Sequence, residues 1–224
     1  MFREIIAGSM SFTDMLLYAL SAFAVILLTM PVHEWAHGFI ATKLGDPTPR
    51  YQGRLTLNPF AHIDYIGALC IILFGVGWAK PVQINPRNFR NPKVGMAITA
   101  LAGPVSNILM AGLSLLLGNV VYVLLPTTFG LFVMSFFTLV ASTNIYLAVF
   151  NLIPIPPFDG SRILFAILPD KYYWRVMEYE RILMFVLLVV IATGILDGPL
   201  DFASDLIFGI LDFITSLPFI LFLR

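Results

Sequence analysis

The sequence predicts an all-α polytopic membrane protein, on composition, on the lengths of its apolar runs and on where its charges fall. The chain has 224 residues, 59% of them hydrophobic and only 12% charged, with a mean hydropathy of +0.90. A soluble domain carries roughly 25% charged residues, so this chain has too few charges to cover a water-facing surface. Disorder is excluded too, because it requires low hydrophobicity. The formal net charge is zero, so no basic excess points to nucleic acid. Cys70 stands alone, which rules out an internal disulfide and a cysteine-based zinc site. The N-terminus lacks the pattern of a secretory signal, so the first apolar run is expected to be retained. The length fits a single domain over 1–224.

A bilayer core about 30 Å thick takes roughly 20 apolar residues per helix. The apolar runs are 16–44, 66–79, 94–125 with a break near Gly118, 131–153, 182–196 and 202–223. The run 66–79 is short and holds Gly67, Gly75 and Gly77. It reads as re-entrant or interfacial, and irregular backbone at that depth implies a protein-lined or wet cavity. The expected architecture is therefore about five transmembrane helices plus this segment, with short β-strands allowed near the active site. Charge supports the layout. If 66–79 dips in and returns, all of the 13 lysines and arginines except Arg3 fall on one side. The positive-inside rule makes that side cytoplasmic, together with the C-terminus, in what is expected to be the cell (plasma or inner) membrane. Tyr172, Tyr173 and Trp174 read as an interfacial aromatic anchor.

His33-Glu34-Trp35-Ala36-His37 is an H-E-x-x-H motif at the end of the first apolar run. Residues four apart share a helix face, so two imidazoles can hold one Zn²⁺ with the intervening Glu as general base. Ionisable groups are costly inside a membrane and mark function there. A bland alternative is a solvated helix end. A catalytic zinc site takes three protein ligands and keeps one position open. His62 and Asp159 both qualify for the third place on chemistry alone. Asp159 is favoured, because Pro154, Pro156 and Pro157 stop the preceding helix and can turn a carboxylate back into the bundle. His62 lies in a polar loop and reads as solvated.

The segments HEWAHG, GRLTLNPFAHID, WAKPVQINPRNFRNP, AGPVSN and NLIPIPPFDG, in that order over about 30–165, resemble the site-2 protease family of membrane-embedded zinc metalloproteases. The resemblance implies Zn²⁺ as cofactor, His33, His37 and Asp159 as its ligands and Glu34 as catalytic base. It places Asn151 near the active site, holding substrate backbone or the developing oxyanion. Asn107, in AGPVSN, reads only as a small polar residue where helices pack closely. The chain has room for neither a PDZ nor a CBS domain, so it resembles a minimal form: core motifs over about 30–165 and C-terminal helices over about 180–224. The expected activity is hydrolysis of peptide bonds in or near transmembrane segments, with membrane-spanning proteins or peptides and the lipid bilayer as partners. A membrane metal-ion transporter and a zinc-binding pseudoprotease scaffold are the alternatives. The absence of an internal repeat weighs against the first.

Overall fold

The computed structural model describes residues 11–74, 79–169 and 179–222. The chain enters helix α1, Phe12–Lys43, through a capping box. The Ser11 hydroxyl accepts from the Asp14 N–H, and the Asp14 carboxylate accepts from the Ser11 N–H. Such a cap is worth about 1 kcal/mol. Midway, Val25–Thr29 is a π turn in which the Met30 N–H donates to Val25 O. Pro31 follows directly, and a proline has no N–H for the ladder while its ring crowds the carbonyl four residues back. The wider turn opens the ladder where that crowding would fall. A Schellman motif ends α1: the Gly45 N–H donates to Thr42 O and the Asp46 N–H to Ala41 O. Gly45 takes the positive φ of 108° that this stop requires.

Three short helices follow: α2 (Thr48–Tyr51), α3 (Pro59–His62) and α4 (Tyr65–Phe74). The extended residues 79–85 and a 3₁₀ turn, Pro86–Asn88, then lead to α5 (Pro92–Leu124), which Asn91 caps. Next come α6 (Thr128–Asn151), α7 (Asp159–Ile167), α8 (Glu180–Thr193) and α9 (Asp197–Phe222). Among the described residues, α1, α5, α6 and α9 are long and apolar enough to cross a membrane. A fifth expected span falls on α8, whose 14 described residues rise about 21 Å. The aromatic anchor expected at 172–174 lies outside the described residues.

Helix α5 is the mast of the molecule. It packs against α6, against the C-terminal half of α1, and against α7. Ala111 and Leu115 of α5 meet Ala141 and Ile145 of α6, with Ile207, Phe208 and Leu211 of α9 laid over them. Small residues at such contacts let backbones approach closely. The break expected near Gly118 is absent, and α5 runs unbroken through it. A Cβ at Gly118 would sit 3.2 Å from Phe137 Cβ, so this glycine serves helix packing.

The expected re-entrant segment has a direct structural correlate. The Lys80 N–H donates to His62 O at 2.8 Å. The described ends of the stretch, at His62 and Lys80, thus lie side by side, whereas a crossing would set them about 30 Å apart. The β-strands allowed for this region are not found among the described residues. The extended 79–85 stretch gives its Lys80 amide to that carbonyl and its Val82 amide to the Glu34 carboxylate, so it has no strand partner.

Candidate metal centre

His33 and His37 lie one turn apart on α1, with ring centroids 4.6 Å apart and ring planes at 85°. Their Nε2 atoms are 3.0 Å apart. Each is 3.3 Å from Oδ2 of Asp159, the first residue of α7. Asp159 arrives there because α1 and α7 both pack on α5. Gly160 allows the approach: a Cβ at that position would lie only 2.6 Å from Ile153 O. The Ser161 hydroxyl donates to Phe158 O at 2.7 Å and tightens the same turn.

These three atoms form a triangle with edges of 3.0 and 3.3 Å. Ligands on tetrahedral Zn²⁺ at about 2.0–2.1 Å lie about 3.3–3.4 Å from one another, so the triangle has the size of one tetrahedral face. Its chemistry agrees. His37 Nδ1 lies 2.8 Å from Thr99 O, a carbonyl that can only accept, so Nδ1 carries the proton and Nε2 a lone pair. His33 Nδ1 faces Asn107 Oδ1 at 3.3 Å, which sets its ring the same way. Asp159 Oδ2 is buried with no hydrogen-bond partner. Three electron-rich atoms thus converge on one point, an arrangement a cation stabilises. The donor set of two imidazoles and one carboxylate suits a catalytic zinc site with an open position.

Glu34 is buried, and its Oε2 accepts the Val82 N–H at 2.9 Å. The 79–85 segment is held in turn by Asp46, which is fully buried. Asp46 accepts from the Thr48 N–H (3.1 Å) and hydroxyl (2.5 Å), the Asn85 N–H (2.7 Å) and Asn88 Nδ2 (2.6 Å). Burial alone would raise its pKa, but these hydrogen bonds overcome it and hold the carboxyl below its ordinary 3.8.

His62, expected to be solvated, is fully buried instead. Its Nε2 lies 2.8 Å from Thr56 O, and its carbonyl receives Lys80. It stands apart from the group of His33, His37 and Asp159. Asn151 lies in the last turn of α6 and donates Nδ2 to Leu147 O at 2.9 Å. Asn107, read from sequence as a packing residue, is 1% exposed and faces the His33 ring. Thr99, Gly103 and Asn107 are four residues apart. That spacing on an otherwise apolar helix is the signal that marks one α5 face as belonging to the site.

The fold and the site together define a membrane metalloprotease, and the comparisons bear on the class directly. The profile of peptidase family M50 matches residues 127–194, a stretch that includes Asp159. YwhC of Bacillus subtilis is 36% identical over 185 residues, covering 80% of this chain and 84% of that protein. Rip2 of Mycolicibacterium smegmatis is 29% identical over 141 residues, 60% of this chain and 52% of its own length. MJ0611 of Methanocaldococcus jannaschii is 28% identical over 142 residues, 59% and 62% respectively. All three carry the provisional name of zinc metalloprotease. No solved structure matches the chain at a significant level. The chain belongs to peptidase family M50, the site-2 protease family.

Proposed function

We propose that this protein is an intramembrane zinc endopeptidase that hydrolyses peptide bonds in or near the transmembrane segments of other membrane proteins. The convergence of His33 Nε2, His37 Nε2 and Asp159 Oδ2 beside the Glu34 carboxylate carries this reading. His33 lies ten residues before the end of α1, about 15 Å along the axis. That is half the thickness of a bilayer core if Lys43 marks its cytoplasmic edge. Most loops and the C-terminus would then face the cytoplasm, with the cell membrane as the host bilayer.

His33, His37 and Asp159 would hold Zn²⁺, which supplies Lewis acidity toward a water molecule and a scissile carbonyl. Glu34 takes one proton as water attacks the carbonyl carbon and returns it to the leaving amine nitrogen. The C–N bond breaks, and the products are one carboxyl and one amine terminus. The Val82 N–H holds the Glu34 carboxylate through Oε2. Asn151 keeps its amide on Leu147, and a role at the oxyanion requires that bond to be given up. Substrate helices hide their carbonyls in their own ladder, so a bound segment must open before cleavage.

Full-length protein and Glu34→Gln, reconstituted with a single-span reporter, test the reading. Gln keeps the size of Glu but cannot take the proton. The parent should cleave and the variant should not, with equal metal content. Cleavage by Glu34→Gln within a few-fold of the parent overturns the proposal. A transporter or scaffold would keep its function in that variant.

A further inference from the structure

Resting on the metal-binding reading above, we propose that Asn107 is a positioning residue of the metal centre. Its side-chain oxygen holds the His33 ring in the one tautomer and orientation that present Nε2 to a metal.

The argument starts from the two imidazoles. Each ring nitrogen is distinct, and the one that binds metal is set by the bond the other makes. Helix α5 addresses both Nδ1 atoms from one face. Thr99 O takes that of His37 at 2.8 Å, and Asn107 Oδ1 takes that of His33 at 3.3 Å. Between them, Gly103 leaves room for the rings. A Cβ there would lie 2.5 Å from Cε1 of both His33 and His37, closer than any real contact. The rings therefore lie flush on the helix backbone, with a hydrogen-bond acceptor at each end of the seat. Pro104 lacks an N–H for the Ala100 carbonyl, and the neighbouring Thr99 carbonyl is the one that reaches His37.

Thr99 contributes a backbone oxygen, which any residue would supply. Asn107 contributes a side chain, so the His33 anchor is encoded in the sequence. It is 1% exposed, and without it the Nδ1–H of the partly buried His33 would lose its acceptor. The ring could then rotate or exchange tautomers, and its metal-binding lone pair would point elsewhere. Partners of this kind, one bond removed from the metal, typically contribute 10–100-fold to metal affinity.

Full-length Asn107→Ala, Asn107→Asp, His33→Ala and parent proteins in detergent, stripped of metal, are titrated with Co²⁺ and followed by visible absorption. Thermal unfolding of each stripped protein is measured in parallel. The Ala variant should bind Co²⁺ about 10–100-fold more weakly with an altered spectrum. The Asp variant, whose carboxylate accepts the same proton, should return to within about threefold of parent. A residue that served packing alone would lower the unfolding temperature of the stripped protein and leave Co²⁺ affinity in place. Asn107→Ala binding within twofold of parent with an unchanged spectrum overturns the proposal, and so does an Asp variant as weak as Ala. If Asn107→Ala does not fold, Asn107→Ser, whose shorter hydroxyl falls away from the ring, takes its place with the same expectations. Equal Co²⁺ binding by parent and His33→Ala would overturn the metal site itself, a result distinguishable from failure of the Asn107 assignment alone.

Discussion

Two carboxylates beside α1, the buried Asp46 and the partly buried Asp159, are surrounded differently and do opposite things. Asp46 is surrounded by donors: two from Thr48, one from Asn85 and one from Asn88. Its charge is fully answered, and it acts as a rivet between the end of α1 and the segment that carries Val82. Asp159 faces two imidazole nitrogens whose protons are turned away, and its Oδ2 has no donor. Asp46 is the more buried of the two, at 0% exposed against 21% for the Asp159 side chain, so burial does not single out the carboxylate of the candidate site. What distinguishes them is whether the surrounding groups have already satisfied the charge.

The largest effect expected from this contrast is on turnover. In the proposed mechanism Glu34 handles the proton, and general acid–base groups contribute about 10²–10⁴-fold. Glu34→Gln should lower cleavage of a reconstituted single-span substrate at least into that range. Chelation should abolish activity in the parent, and added Zn²⁺ should restore it.

Next is metal retention. Asp159→Ala should deplete Zn²⁺ in purified protein, as measured by elemental analysis, and His37→Ala should do the same. His62→Ala should leave one equivalent in place, because His62 holds Thr56 and lies away from the triangle. Retention in Asp159→Ala with loss in His62→Ala would exchange their roles.

The smallest effect belongs to the rivet. Asp46→Asn presents an amide N–H₂ to donors that need an acceptor, at a cost of about 1–3 kcal/mol. It should lower the unfolding temperature and speed hydrogen exchange at the Val82 amide while metal content holds. The pH dependence has a definite sign. The carboxyl of Asp46 titrates below its ordinary 3.8 in the folded protein. Its contribution is therefore fully present above about pH 4 and lost as pH falls through the folded value. The difference in unfolding temperature between parent and Asp46→Asn should close below that pH. A constant difference down to the lowest accessible pH would show that the charge of Asp46 is not what stabilises the segment.

The convergence of His33, His37 and Asp159 was largely legible because its signals are local: an i, i+4 spacing for the imidazoles, and prolines that stop a helix just before Asp159. The choice between asparagines was not legible. Asn107 and Asn151 sit on different apolar helices, and which one faces the histidines depends on how α5 and α6 rotate about their axes. That rotation is fixed by packing at Ala111, Leu115, Ala141 and Ile145, which a single helix does not reveal. The burial of His62 was hidden for a similar reason. A polar loop reads as solvated until the Lys80 amide, 18 positions on, returns to close over it. Gly118 illustrates a third limit: a glycine that breaks a helix and one that admits a neighbour look alike in sequence.

The π turn at Val25–Thr29 bears on how the sequence of α1 can change length. A π turn amounts to one residue more than an α-helix needs at that point. Removing a single residue there, such as the exposed Leu28, should convert it to an ordinary α turn. The phase between residues 12–24 and the face that carries His33 and His37 would be preserved. The same deletion two turns earlier, at Leu20, would rotate everything upstream by about 100° relative to His33 and His37. A one-residue deletion in this helix should therefore be tolerated at one place, set by a backbone irregularity about one turn ahead of His33.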